Sequence, residues 1–206
     1  MNTLVLPASD PSVITRALEV LRSDGLVVFP TDTVYGVAAG AFSVRGIDRL
    51  YEAKGREAAK AIPVLLGSPD QLGQVAVNLP PYARRLAAGF WPGAMTLVVP
   101  RHPGLPPNLS QTPTVGVRMP DYPLALALLR LSGPLATTSA NLSGGPNPLT
   151  AQDALAQLDG RVDLVIDGGA CPGGLPSTVV DATQPDLVIL RQGPISLVDL
   201  QGCLVD

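Results

Sequence analysis

Histidine is almost absent from this 206-residue chain, with His102 as its one example. A structural zinc site would need more ligands than the chain supplies. A serine nucleophile would have to take its base from the Pro/Gly-rich loop at residues 101–107, and no G-x-S-x-G elbow is present. Cysteine is scarce too: Cys171 and Cys203 stand far apart, in no metal-ligand spacing, and read as two ordinary thiols. Aromatic residues reach only 4% and the net charge is −3, which argues against a dedicated, salt-sensitive nucleic-acid binder. No apolar run is long enough to span a bilayer. The most apolar stretch, residues 123–136, is interrupted by Arg130 and Gly133. The first ten residues hold no basic segment ahead of an apolar core, so no secretory leader is expected and cytoplasmic residence is the default. There is no Walker A sequence and no G-x-G-x-x-G opening a helix after a strand, so any nucleotide site must be built another way.

What is present is a hydrophobic content of 46%, enough for one packed domain over residues 1–206. Apolar periodicity predicts helices over residues 11–24, 44–53, 70–77, 81–88, 124–131 and 151–158. Asp10 is expected to cap the first, with Pro11 at its opening position and Gly25 at its end; Thr150 is expected to cap the last. Short apolar runs predict strands at 26–29, 62–66, 95–99, 115–117, 135–138, 164–166, 178–180 and 187–190. Strands alternating with helices imply an α/β sheet covered by helices, and the crowding of the later strands adds antiparallel pairs to make it mixed. Residues 197–206 read as a small appended helix or a frayed tail.

Positive charge is unevenly spent. Residues 1–120 carry 11 basic against 8 acidic side chains, residues 121–206 only 3 against 9. Between Gln71 and Pro120 there is no acid, while Arg84, Arg85, Arg101 and Arg118 are present, a local surplus that suits a phosphate-bearing ligand and equally an accident of a solvated face. Only two lysines occur, Lys54 and Lys60, and both lie in one short segment with Arg56. Such a cluster suits polyphosphate, although a solvated basic loop has the same composition. Three more segments place polar side chains at strand ends, where ligands bind in α/β sheets. Thr31, Asp32 and Thr33 follow the strand at 26–29 and could either hydrogen-bond a small ligand or cap a turn. Arg118 ends a strand and offers a fork to a carboxylate, from a ligand or from one of the chain's own acids. Thr137 to Asn147 is crowded with small hydroxyl and amide side chains able to donate to phosphate.

Taken in order, Phe29-Pro-Thr-Asp-Thr-Val-Tyr-Gly36, Lys54-Gly-Arg56, Phe90-Trp-Pro-Gly93, Val117-Arg-Met-Pro120, Ser139-Ala-Asn-Leu-Ser-Gly144 and Ser177-Thr-Val-Val-Asp181 resemble the YrdC-type threonylcarbamoyl-AMP synthases. Each piece is weak alone, but the ordered set is specific. The resemblance runs from about Leu26 to Pro194 and is to the short, single-domain form. It implies a twisted, open, mixed sheet of YrdC/RibB-like fold with a large concave substrate cleft. It also implies ATP contacts from Lys54, Arg56, Lys60, Thr114, Ser139, Asn141, Asn147 and Arg191, with Lys54 and Arg56 as catalytic residues. L-Threonine contacts would come from Thr31, Thr33, Arg118, Thr137 and Ser177. ATP, L-threonine and bicarbonate would be the substrates, Mg2+ would accompany ATP, and a tRNA threonylcarbamoyl-transferase complex would take the product. Some family members have a histidine where Leu65 stands. Two rival readings fit the same fold: a module that binds RNA weakly on its concave face, and a carbamoyltransferase-type domain.

Overall fold

The computed structural model describes residues 2–57, 60–184 and 186–204. Among them ten strands form one sheet: β1 (Leu4–Pro7), β2 (Val27–Phe29), β3 (Gly36–Gly40), β4 (Val64–Leu65), β5 (Met95–Pro100), β6 (Thr114–Arg118), β7 (Leu135–Ser139), β8 (Leu164–Asp167), β9 (Thr178–Asp181) and β10 (Val188–Arg191). The helices are α1 (Val13–Arg22), α2 (Val44–Lys54), α3 (Leu72–Val75), α4 (Pro81–Phe90), α5 (Pro123–Ser132), α6 (Ala151–Leu158) and α7 (Leu197–Gly202). Strand order is β1-β8-β2-β3-β7-β4-β6-β5-β9-β10, so the sheet is open, with β1 and β10 at its edges. It is mixed, as expected: β1–β8, β2–β8, β4–β6 and β5–β9 pair in parallel, the rest antiparallel. None of the described helices is long and apolar enough to cross a membrane.

Two strands escaped the apolar pattern. β3, Gly-Val-Ala-Ala-Gly, has little β-propensity of its own. It forms because β2 on one side and β7 on the other supply both ladders. Gly36 is needed there, since a Cβ would lie 2.9 Å from Thr137 Cγ2. β1 ends in a proline, which an edge strand tolerates. Three boundaries also differ from expectation. α1 starts at Val13, because Asp10 spends its carboxylate on the Ser12 amide (2.8 Å) and hydroxyl (2.7 Å), capping a turn that precedes the helix. At its other end Asp24, not Gly25, takes the left-handed conformation (φ 57°). Residues 70–77 divide into a 3-10 turn, Pro69–Gln71, and the short α3. Of the alternatives for the C-terminal segment, the helix is found. Ser196 and Asp199 form a capping box at the start of α7, and Leu200 is buried; residues 205–206 lie outside the described set.

The period-2 alternation of the strands sorts two faces. One face sends Met95, Leu97 and Val99 of β5, Val115 and Val117 of β6 and Val180 of β9 into the larger core, together with Ile47 and Leu50 of α2 and Leu86 of α4. The other face is covered only in part. Ala17 and Leu21 of α1 and Leu128 and Leu129 of α5 pack there on Phe29, Ala38, Leu65 and Leu135. Beyond Leu65 and Leu135 neither helix reaches, and the same face runs on as Thr96, Val98, Gly116, Arg118, Thr137, Ser139 and Val179, all lining one open cleft. The cleft is thus the half of a sheet face that α1 and α5 leave bare.

Candidate functional site

The cleft has a volume of about 380 Å³, within the range of small-molecule sites. Nine of the thirteen expected site residues line it: Thr31, Thr33, Arg56, Arg118, Thr137, Ser139, Asn147, Ser177 and Arg191. Leu65 lines it as well, where some family members carry histidine. The charged side chains among the lining residues are three arginines, and no carboxylate is among them.

Arg118 leaves the end of β6 and is buried, 7% exposed. Its guanidinium donates from all three nitrogens: Nε to the Gly93 carbonyl (2.9 Å), Nη1 to Thr33 Oγ1 (3.0 Å) and Nη2 to Asp32 Oδ1 (2.5 Å). The sequence left open whether this arginine meets a ligand's carboxylate or one of the chain's own; in the fold it meets Asp32. Burial pushes the Arg118 pKa down, and the Asp32 charge opposes that. A guanidinium has five N–H donors. With three placed, one remains on each terminal nitrogen, the number a second carboxylate needs. Thr31 gives its hydroxyl proton to the Val34 carbonyl (2.7 Å), so in the Thr31–Thr33 contact (3.1 Å) Thr33 is the donor. Arg118, Thr33 and Thr31 therefore form a directed chain whose members polarise one another.

On the opposite wall Ser177 Oγ lies 2.8 Å from Thr96 Oγ1, and both side chains are buried. Arg191 at the end of β10 holds Ser177, through its carbonyl (3.1 Å from Nε, 3.0 Å from Nη2) and its hydroxyl (3.2 Å from Nη2). The sequence reading missed Thr96. The signal was there: in a strand whose Met95, Leu97 and Val99 face the core, Thr96 must face the other way.

The basic segment is rearranged relative to expectation. Arg56 stays at the cleft and donates to the carbonyls of Lys60 (3.0 Å) and Ala61 (3.0 Å), closing the loop on itself. Lys60 is exposed and 3.5 Å from Glu57, away from the lining; Ala58 and Ala59 lie outside the described residues. Lys54 is 2% exposed. Its ammonium donates to the carbonyls of Ser139 and Asn141 (the latter 2.5 Å) and to Asn141 Oδ1 (3.4 Å). Burial, and then the charge of Arg56, push its pKa down to about 7. Gly55 in the left-handed conformation (φ 56°) ends α2 just beyond it. Lys54 therefore lies behind the cleft wall and holds the Ser139–Asn141 turn from which Ser139 points in. Asn141 does the same from within the turn, its amide donating to the carbonyls of Leu142 (2.9 Å) and Gly145 (2.8 Å). Thr114 lies outside the lining and pairs with Thr112 (2.9 Å). His102 stays in its loop, where Nδ1 accepts from the Gly104 amide (3.0 Å). Both cysteines are free.

Set against known proteins, residues 19–193 match the family model of Sua5, YciO and YrdC, described as telomere recombination. The chain is 41% identical to the threonylcarbamoyl-AMP synthase of Bacillus subtilis over 202 residues, 97% of this chain and 58% of that protein. It is 41% identical to a putative threonylcarbamoyl-AMP synthase of Mycobacterium tuberculosis over 184 residues, covering 89% of this chain and 85% of the relative. The crystal structure of P. abyssi Sua5 complexed with L-threonine superposes with a TM-score of 0.94 at 36% identity, covering 100% of this chain and 61% of that one. The chain thus spans about three fifths of the Bacillus and P. abyssi proteins.

Proposed function

Because the chain belongs to the Sua5–YciO–YrdC family, we propose that it is an L-threonylcarbamoyladenylate synthase. The reaction joins L-threonine, bicarbonate or CO2, and ATP into threonylcarbamoyl-AMP and pyrophosphate, for the threonylcarbamoyladenosine modification of tRNA in the cytoplasm. The observation that carries this reading is the distribution of cations in the cleft: Arg118 is paired with a carboxylate, while Arg56 and Arg191 have no carboxylate partner among the described residues. A zwitterion and a polyphosphate need such different partners. That Sua5 of P. abyssi binds L-threonine supports the same assignment.

The threonine amine adds to carbon dioxide and loses a proton to give a carbamate. A carbamate oxygen then attacks the α-phosphorus of ATP, the bond to the β-phosphate breaks, and pyrophosphate departs as a nucleotidyl group is transferred. No covalent enzyme intermediate is required, in keeping with a chain that lacks a nucleophile–base pair. The two spare N–H donors of Arg118 take the threonine carboxylate, and Thr33, Thr137 and Ser177 its remaining polar groups, with Thr31 behind Thr33. Arg56, Arg191, Ser139 and Asn147 face the nucleotide. Catalysis comes from holding two anions together and balancing the charge that develops on the phosphates. Lys54 and Asn141 act by fixing the turn that presents Ser139; Lys60 and Thr114 stand just outside. The lining has no carboxylate, and no group of three or more acidic, histidine or cysteine side chains gathers among the described residues. Mg2+ therefore fits as part of the substrate, carried on the ATP phosphates. A tRNA threonylcarbamoyl-transferase complex is the consumer of the product.

The test is pyrophosphate release from MgATP by the purified chain, with and without L-threonine and bicarbonate. Release that needs both is expected. No release from folded protein in any combination, alongside salt-sensitive RNA binding, would replace the synthase with an RNA-binding module.

A further inference from the structure

We propose that Asp32 is a specificity-determining residue: its carboxylate balances Arg118 and so closes the amino-acid end of the cleft to phosphate. This deepens the functional reading above and rests on it. Three arginines share one cleft with no acid in its lining. Left to themselves, all three would draw the same ligand, and the phosphates of ATP would compete with threonine for Arg118. Among the described residues, Arg118 is the one cleft arginine that forms an ion pair. That pair is well shielded, with side-chain exposures of 8% for Arg118 and 13% for Asp32. Arg56 and Arg191 bond instead to neutral oxygens, the carbonyls of Lys60 and Ala61 and the backbone and hydroxyl of Ser177.

The backbone that carries Asp32 and Thr33 is packed and tied: a Cβ at Gly173 would lie 2.4 Å from the Asp32 carbonyl oxygen, and the Gly174 amide donates to the Thr33 carbonyl (3.0 Å). Thr33 fixes Arg118 from the other side. Asp32 is therefore held where water screens it poorly, and a charge so placed acts strongly on its neighbours. The consequence is a difference in net charge along the cleft. The Arg118–Asp32 pair is itself neutral but still offers two N–H donors. A zwitterionic amino acid, itself neutral overall, suits that end, whereas a phosphate dianion meets the Asp32 charge and gains no net counter-charge. Arg56 and Arg191 have no carboxylate partner among the described residues, so phosphate is favoured there, and Arg191 stands near enough to Arg118 for its charge to be felt at the pair.

The experiment is calorimetric titration of L-threonine and of inorganic phosphate, separately and in competition, into the full chain as wild type, Asp32→Asn and Asp32→Glu. In the wild type, phosphate is expected to bind without displacing threonine; displacement of threonine by phosphate in the wild type would overturn the proposal, and this arm needs no variant to fold. Asp32→Asn retains an acceptor for Arg118 but loses the charge. Phosphate should then compete with threonine, with its affinity for that end rising about tenfold or more, as expected for removing a nearby like charge. Asp32→Glu keeps the charge and should keep phosphate out. Unchanged threonine and phosphate binding in Asp32→Asn would reduce Asp32 to a structural partner and overturn the proposal. If the wild type bound no threonine while Asp32→Asn gained phosphate, the threonine assignment would fail and the charge-sorting role of Asp32 would stand.

Discussion

Two cations are buried beside the cleft, and the fold accommodates them in opposite ways. Arg118, at the end of β6, has a carboxylate partner in Asp32. Lys54, behind the Ser139 turn, has among the described residues only carbonyl-type oxygens, two from the backbone and one from Asn141. A guanidinium stays charged at any working pH, so its burial calls for a counter-charge. An ammonium can give up its proton, and burial has moved Lys54 toward doing so. The first arrangement fixes a charge in place; the second fixes a turn of backbone and leaves the charge adjustable.

Breaking each arrangement should therefore have a different cost. Asp32→Ala leaves Arg118 buried and unpaired, and an orphaned buried charge costs about 3–5 kcal/mol. Chemical denaturation should show that loss; a loss under about 1 kcal/mol would mean water reaches Arg118 after all. Next in size is the functional contrast between the ends. Arg118→Ala should raise the threonine requirement on the order of a hundredfold, and Arg56→Ala should lower turnover by a similar factor. Steady-state kinetics with each substrate varied would settle it. If Arg118→Ala weakened ATP alone, the two ends would be reversed. Lys54→Met should cost less than Asp32→Ala, about 2 kcal/mol, because it orphans neutral carbonyls and no charge. It should still slow the reaction, since Ser139 loses its support. Equal destabilisation by Lys54→Met and Asp32→Ala would erase the distinction between the two sites.

Much of this was legible in the sequence. The helices and most strands follow from apolar periodicity, and Thr31, Thr33, Arg118 and Thr137 follow from polar residues placed at strand ends. β3 was not legible, because Gly-Val-Ala-Ala-Gly becomes a strand only through its neighbours on both sides. Lys54 was read as a phosphate ligand because it sits in a basic segment. The helical pattern held the other answer: Ile47, Leu50, Tyr51 and Lys54 recur at i, i+3, i+4 and i+7, and all four are buried. A lysine on the apolar stripe of its own helix is committed to the interior. The Asp32–Arg118 pair joins residues 86 positions apart and depends on the sheet bringing the turn after β2 to the end of β6. Sequence could offer both partners but not match them.

The smallest expected effect is also the most direct test of the adjustable cation. Lys54 has a pKa of about 7 in the folded chain, against an ordinary 10.5. Below pH 7 it is protonated in both the folded and unfolded states, and the full cost of burying the charge is present. Between about pH 7 and 10.5 the unfolded chain binds more protons than the folded one, so stability must rise with pH across that window. One proton sets the slope at up to about 1.4 kcal/mol per pH unit. Urea unfolding of the wild type from pH 6 to pH 9 should show this rise against the other titrations, and Lys54→Met should remove that component of the slope. Arg118 contributes no such component, because it does not release its proton in this range. Parallel wild-type and Lys54→Met profiles would mean that the three oxygens hold the ammonium charged throughout, and the two buried cations would then be alike.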